Sequence, residues 1–324
     1  MGLFHNNDVL PMKFQTTLAA LALALPLTLT PVVAQAGTSV LFIGNSFTFG
    51  YGSAMRFYRA DTIRDLNLEG QGGVPALFKS FTQQVGLDYD VAIETRGGTG
   101  IDWHLANKLS VINQQPWDIV VAHGFSTLDA QKPGDATKLV ETARQLATAL
   151  QGRNPKADLR LEATFPRADL TYGPKGAWFG KTIGDMANDI RAGYDLAAKT
   201  SPVIKGVIPV GEAWVRAMDA GVADKNPMDG VDAGKLNLWT FDHYHASTAG
   251  YYLKGLVVFG ALTLQDPRSL GGHECSGYEL GLSVPEVKAL QKVAFDQLAG
   301  SHPIKGAPLE NLATEAPQRC QRGR

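Results

Sequence analysis

Cysteine is nearly missing from this chain: there are two in 324 residues, Cys275 and Cys320, both in its last quarter. No Cys-x-x-Cys occurs, so neither a zinc knuckle nor a dithiol redox centre has its ligands. Net charge is equally scarce. The 30 Lys and Arg balance 31 Asp and Glu, leaving −1 at neutral pH. No global field therefore draws the protein onto nucleic acid or an anionic membrane. The most apolar stretch, Leu18 to Val33, is only about 16 residues long and is broken by Pro26 and Pro31, whereas a spanning helix needs roughly 20. Gly-x-Ser-x-Gly is absent, which excludes the α/β-hydrolase elbow. Gly180-Lys181-Thr182 is no phosphate loop, because Lys175 stands where the leading glycine is required. The glycines at 70, 72 and 73 form no dinucleotide fingerprint.

What is present is an ordinary globular balance, 44% apolar and 19% charged. Lys13, the apolar stretch and Ala34-Gln35-Ala36 have the layout of a secretory leader, with cleavage expected after Ala36. Residues 1–36 are read as that signal peptide, with Met12 as an alternative start because Asp8 sits oddly ahead of a leader. The mature chain is then exported, periplasmic or secreted, and has no stable membrane insertion after cleavage. In an exported protein two cysteines favour one disulfide, Cys275–Cys320, tying the tail to the body; two free thiols are the alternative.

From Ser39 onward short apolar runs alternate with helical patterns. Strands are expected at Val40–Ile43, Asp90–Glu94, Asp118–Ala122, Leu159–Thr164 and Val203–Val210. Leu139, Ala143, Leu146 and Leu150 share one helix face, and Ile183, Met186, Ile190, Tyr194 and Ala197 share another. Ser283 and Glu286 form a capping box for a helix through Val287, Leu290, Ala294 and Leu298. This alternation predicts an α/β fold with a doubly wound parallel sheet in one domain, residues 37–300. Residues 301–324 read as an extended tail. Ligands in such sheets lie beyond the carboxyl ends of the strands, so chemistry belongs in the segments that follow them.

Gly44-Asn45-Ser46 follows the first strand and opens a loop that can expose the Ser46 hydroxyl. A serine needs a base, and the base needs an acceptor on its other nitrogen. Phe241-Asp242-His243-Tyr244-His245, just ahead of a helical pattern, offers both. The spacing selects His245 as base and Asp242 as its acceptor, since His243 is adjacent to Asp242 and points elsewhere.

Ile43-Gly44-Asn45-Ser46-Phe47-Thr48 resembles the first block of the SGNH/GDSL hydrolases. Asp242-x-x-His245 with Ala246-Ser247 and Gly250-Tyr251-Tyr252-Leu253 resembles their last block. The resemblance covers about residues 38–300 and implies a three-layer α/β/α sandwich on a five-stranded parallel, flavodoxin-like sheet. It also implies acyl-ester or acetyl-ester hydrolysis without metal or cofactor, on a small-molecule or polysaccharide ester. Ser46, Asp242 and His245 are its catalytic residues, and Ser46 and Gly97 or Gly98, from Arg96-Gly97-Gly98-Thr99-Gly100, its oxyanion donors. The third block departs from the family: His123-Gly124-Phe125-Ser126 lacks the expected asparagine, and Ser126 takes its position as a donor. Such a departure resembles a branch whose first block is also Gly-Asn-Ser-Phe.

Three further readings accompany this one. His104 and His123 either line the cleft or are structural, and with His243 and Asp242 they have no metal-ligand spacing. Trp214, Trp178, Tyr172 and Arg167 either form a sugar-stacking rim or pack helices on the sheet. The rival functions are a lipid esterase or thioesterase, and a catalytically silent carbohydrate-binding module of the same fold.

Overall fold

A computed structural model describes residues 1–3 and 37–304. The expected leader with its cleavage site at Ala36, the tail beyond residue 304 and Cys320 lie outside the described residues, while Cys275 is buried. Among the described residues no helix is long and apolar enough to cross a membrane.

The body begins with β1 (Thr38–Gly44), the short helix α1 (Ser46–Phe49), two 3-10 turns, and β2 (Arg64–Asp65). Next come α2 (Gly73–Gln84), β3 (Tyr89–Thr95), α3 (Ile101–Ile112), β4 (Ile119–Ala122) and α4 (Thr137–Arg153). Then follow β5 (Asp158–Ala163), α5 (Ala168–Thr171), α6 (Ile183–Ala198), β6 (Ile204–Pro209) and α7 (Val210–Asp219). The chain continues through α8 (Thr248–Thr263), α9 (Cys275–Glu279) and α10 (Val284–Ala299). The sheet order is β2-β3-β1-β4-β5-β6, and every neighbouring pair is parallel.

The period of two along β1 explains the layering. Val40 and Phe42 face a core shared with α2, α7, α8 and α10. Leu41 and Ile43 face the opposite core, shared with α3, α4 and α6. Both faces of the sheet are thus covered, which is why its strands read as continuous apolar runs rather than as alternating ones. Each fully buried Val, Leu, Ile or Phe contributes roughly 1.5–3 kcal/mol of transfer free energy, the main favourable term holding the three layers together. The Ser283–Glu286 capping box opens α10 as the sequence predicts. A second box, Thr182–Asp185, opens α6.

Two expectations need correction. The sheet has six strands rather than five, because Arg64–Asp65 pairs with Ala92 and Ile93 at the edge. Two polar residues carry no alternation, so sequence pattern cannot register them. The fifth expected strand also stops at Pro209, and Val210 already begins α7. Apart from the edge strand, the order is that of a flavodoxin-like sheet. The chain enters at β1, runs outward to β3, then crosses β1 and continues through β4, β5 and β6. The carboxyl end of β1 is therefore the switch point where ligands bind in such sheets.

Candidate active site

Ser46 stands at that switch point, flanked on both sides by the loops that follow β3 and β4. The Arg96 amide donates to the carbonyl of Gly44 at 3.0 Å from one side, and the His123 amide to the carbonyl of Ile43 at 3.3 Å from the other. Gly44 has to be glycine, since a Cβ there would lie 2.3 Å from Thr48 Oγ1 and 2.5 Å from His123 Nε2. Ser46 opens α1 instead of a loop. Asn45 caps this helix, its Oδ1 accepting from the Phe47 amide at 3.0 Å. The same side chain donates to the carbonyls of Thr99 (2.9 Å) and Gly124 (3.4 Å), tying the Ser46 turn to both flanking loops.

Asp242 and His245 come from a hairpin-like turn between α7 and α8. Trp239 bridges Ala246, the Thr240 amide donates to the His245 carbonyl at 2.8 Å, and the Ser247 amide to Leu238 at 2.9 Å. Ser247 then caps α8. These contacts bring three distant residues together. His245 Nε2 is 3.0 Å from Ser46 Oγ, and His245 Nδ1 is 2.7 Å from Asp242 Oδ2. Asp242 Oδ1 accepts from Thr240 Oγ1 and from the amides of Tyr244 and His245. Partial burial works to raise the Asp242 carboxyl, but these bonds and the one from the His245 ring outweigh it and hold it well below the usual carboxylate range. The carboxylate therefore stays ionised against the imidazole. His243 sits in the left-handed region (φ +55°), and its buried Nδ1 has no hydrogen-bond partner among the described residues. Its carbonyl accepts from the Asp169 amide.

The candidate oxyanion donors stand on opposite sides of Ser46. Gly98 adopts φ +71° with open space around a notional Cβ, so glycine is required there by the backbone itself. At Gly97 a Cβ would meet only the ring of Phe49, at 3.7 Å. On the β4 side Ser126 is buried and accepts from Arg167 at 3.5 Å, which leaves its own hydrogen available to donate. Arg167 is held by Asp169 and lies 3.5 Å from the centroid of Tyr244, whose ring is 4.1 Å from that of His245.

Several residues that hold the site in place were not legible as such in the sequence. The Tyr251 hydroxyl lies 3.1 Å from the Ser46 carbonyl, and Lys254 Nζ donates to the Phe47 carbonyl at 2.8 Å. Lys254 is fully buried and paired with Glu162 of β5 at 2.6 Å. Burial pushes the Glu162 carboxyl up and the Lys254 ammonium down, and their mutual attraction opposes both shifts. The helix pattern places Lys254 on α8, but an isolated lysine inside an apolar run gives no hint of its partner.

The two remaining histidines are buried and hydrogen-bonded. His123 Nδ1 donates to the Gly124 carbonyl (2.9 Å), and Nε2 accepts from Thr48 (2.7 Å). Burial first, then the Lys254 charge, lower its pKa to about 3, so it is a neutral ring that supports α1. His104 pairs with Glu94. Among the described residues no group of acidic, histidine or cysteine side chains is arranged to hold a metal. The four-residue rim resolves into two kinds. Trp214 and Trp178 are core residues, Trp214 stacking on Phe165 at 4.5 Å and Phe165 on Phe47 at 4.2 Å. Tyr172 is half-buried and bonds the Lys225 carbonyl, and only Arg167 is linked to the site. The aromatics exposed at the site are others. Tyr51, 42% exposed, lies 4.6 Å from the His245 ring, and Phe241, 83% exposed, precedes Asp242.

No family profile matches the chain, and no curated protein matches it either. Solved structures do. A DUF4886 family protein from Bacteroides uniformis superposes with a TM-score of 0.56 at 18% identity, over 86% of this chain and 100% of that one. An acetylxylan esterase from Geobacillus stearothermophilus gives a TM-score of 0.48 at 16% identity, over 69% and 93% of the two chains. A family 3 carbohydrate esterase from Clostridium thermocellum gives 0.44 at 13%, over 69% and 94%. At such identities the likeness is one of fold, the three-layer α/β sandwich with a parallel sheet.

Proposed function

We propose that the protein is an exported serine esterase, periplasmic or secreted, that removes acyl groups, acetyl foremost, from a carbohydrate ester. The observation that carries this reading is the unbroken chain Ser46 Oγ–His245 Nε2 (3.0 Å) and His245 Nδ1–Asp242 Oδ2 (2.7 Å) at the switch point of the sheet. A hydroxyl is a poor nucleophile at neutral pH, and an imidazole in this position removes its proton as it attacks.

In the proposed reaction Ser46 Oγ bonds to the acyl carbon and its proton passes to His245 Nε2. Asp242 holds the Nδ1 proton and stabilises the imidazolium. The carbonyl oxygen takes up negative charge and is met by the amides of Ser46 and of Gly97 or Gly98, with the Ser126 hydroxyl as a third donor. His245 returns the proton to the leaving alcohol as the tetrahedral carbon collapses. Water then attacks the acyl-enzyme by the same route and releases the acid. No step calls for a metal or cofactor.

A carbohydrate leaving group is favoured by the exposed ring of Tyr51 beside His245, with exposed Phe241 next in sequence to Asp242, since such rings offer flat apolar surface next to polar groups. The disulfide Cys275–Cys320 belongs to the same proposal, as the clamp of an exported chain. The test is hydrolysis of p-nitrophenyl acetate and of acetylated xylo-oligosaccharides by the mature protein. Turnover of both supports the reading. A folded protein that turns over neither, yet binds the oligosaccharide, is a silent binding module and overturns it.

A further inference from the structure

Glu94 and His104 form a buried pair that the proposed reaction does not use. Glu94 is the penultimate residue of β3, and His104 lies in the first turn of α3; both are essentially inaccessible to solvent. His104 Nδ1 is hydrogen-bonded to Glu94 Oε2, and His104 Nε2 faces Thr99 Oγ1 at 3.3 Å. The chain carboxylate–imidazole–hydroxyl thus ends on the glycine loop between β3 and α3. Thr99 is fastened on its other sides as well. Its hydroxyl donates to the Arg96 carbonyl at 2.8 Å, closing the turn 96–99, and its carbonyl accepts from Asn45, the residue before Ser46. Between these anchors lie Gly97 and Gly98, both exposed, with Gly98 in the left-handed region.

We propose that Glu94 and His104 are positioning residues that, through Thr99, set the direction of the Gly97 and Gly98 amides toward the oxyanion. This rests on the esterase reading above. The physical case is one of cost. A glycine pair has the widest conformational freedom of any dipeptide, and an oxyanion donor acts only if it is held in place before charge develops. Thr99 is the residue that removes this freedom, being tied at once to the nucleophile turn and to the sheet. A buried carboxylate and imidazole are expensive to desolvate, and an apolar pair of the same shape fills the volume more cheaply. What the polar pair adds is a directed contact to Thr99 Oγ1. Glu94 is itself oriented by Asn67, whose amide lies 3.4 Å from its Oε1 and whose own oxygen accepts from Lys108 at 2.8 Å.

The test uses the full mature chain with p-nitrophenyl acetate. Thr99→Val keeps the shape of the side chain and removes the hydroxyl; kcat is expected to fall about tenfold or more with KM within about twofold, because the loss falls on the transition state. Thr99→Ser is expected to restore most of kcat. Glu94→Leu combined with His104→Phe removes both buried partners together, so the fold is retained. That double variant is expected to show the same kcat loss, with a matching drop in the rate of fluorophosphonate labelling at Ser46. An active wild type whose Thr99→Val and double variants keep kcat within twofold, or change KM alone, overturns the positioning role. A folded wild type with neither turnover nor label overturns the esterase reading and this inference with it.

Discussion

Lys254 reaches from the helix that follows His245 to donate a hydrogen bond to the carbonyl of Phe47, the residue after Ser46, at 2.8 Å. One turn earlier on the same helix, the Tyr251 hydroxyl lies 3.1 Å from the carbonyl of Ser46 itself. His245 and Ser46 are 199 residues apart in the chain, yet a single helix is joined to both. The 3.0 Å contact between them is thus fixed by the fold rather than by the two side chains alone.

Breaking the buried pair beneath this contact has a predictable cost. Lys254→Met leaves the buried Glu162 carboxyl without its ion-pair partner and is expected to destabilise the protein by about 3–5 kcal/mol. Lys254→Met with Glu162→Leu replaces both charges by apolar groups and is expected to regain most of that stability. Its kcat stays below wild type, since the Phe47 carbonyl still lacks its donor. Urea unfolding read beside esterase kinetics separates the two effects.

His123 gives a pH dependence whose sign can be worked out. Its folded pKa, about 3, lies below the value near 6.5 of an exposed histidine. The unfolded chain therefore binds more protons between these values. The stability that the neutral ring supplies is complete above about pH 6.5 and is lost as pH falls below it. At pH 5 the loss is about 2 kcal/mol. Thermal melts of wild type and His123→Gln between pH 7.5 and 5 are expected to show a smaller pH effect in the variant.

Most of the architecture was legible in the sequence, because five short apolar runs separated by helical patterns read as buried parallel strands and the caps at Ser283 and Glu286 mark a helix start. The grouping of Ser46, His245 and Asp242 was legible for a chemical reason, since a serine nucleophile would require a base and an acceptor, and Asp242-x-x-His245 offers both on one short turn. What the sequence hid is what depends on tertiary partners. Arg64–Asp65 is a strand only because β3 offers a free edge. Trp214 reads as a sugar platform or as core with equal ease until Phe165 is found stacked on it. Lys254 and Glu162 are 92 residues apart, and no local pattern joins them. 

The two histidines of the Asp242 turn are expected to behave differently. His245→Ala and Asp242→Asn remove the base and its acceptor, and kcat should fall on the order of 10³-fold or more in each. His243→Ala touches neither partner and should stay within about tenfold of wild type. Steady-state kinetics on the three variants, with circular dichroism to establish folding, checks this. Equal losses at His243 and His245 contradict the choice of base.

The aromatic residues divide in the same way. Trp214→Ala opens a cavity beneath Phe165 and is expected to cost about 3–5 kcal/mol of stability. Tyr51→Ala, on the exposed side of His245, should leave stability nearly unchanged and raise KM for acetylated oligosaccharide more than for p-nitrophenyl acetate. Denaturant melts and paired kinetics on the two substrates distinguish them.

The central claim is that Ser46 is a nucleophile activated by His245. The most direct measurement is peptide mapping by mass spectrometry after reaction of the mature protein with a fluorophosphonate. A single phosphonyl adduct on Ser46, absent from Ser46→Ala and strongly slowed in His245→Ala, is the predicted result. A folded protein that carries no adduct, or carries it at another residue with Ser46 unmodified, contradicts the account.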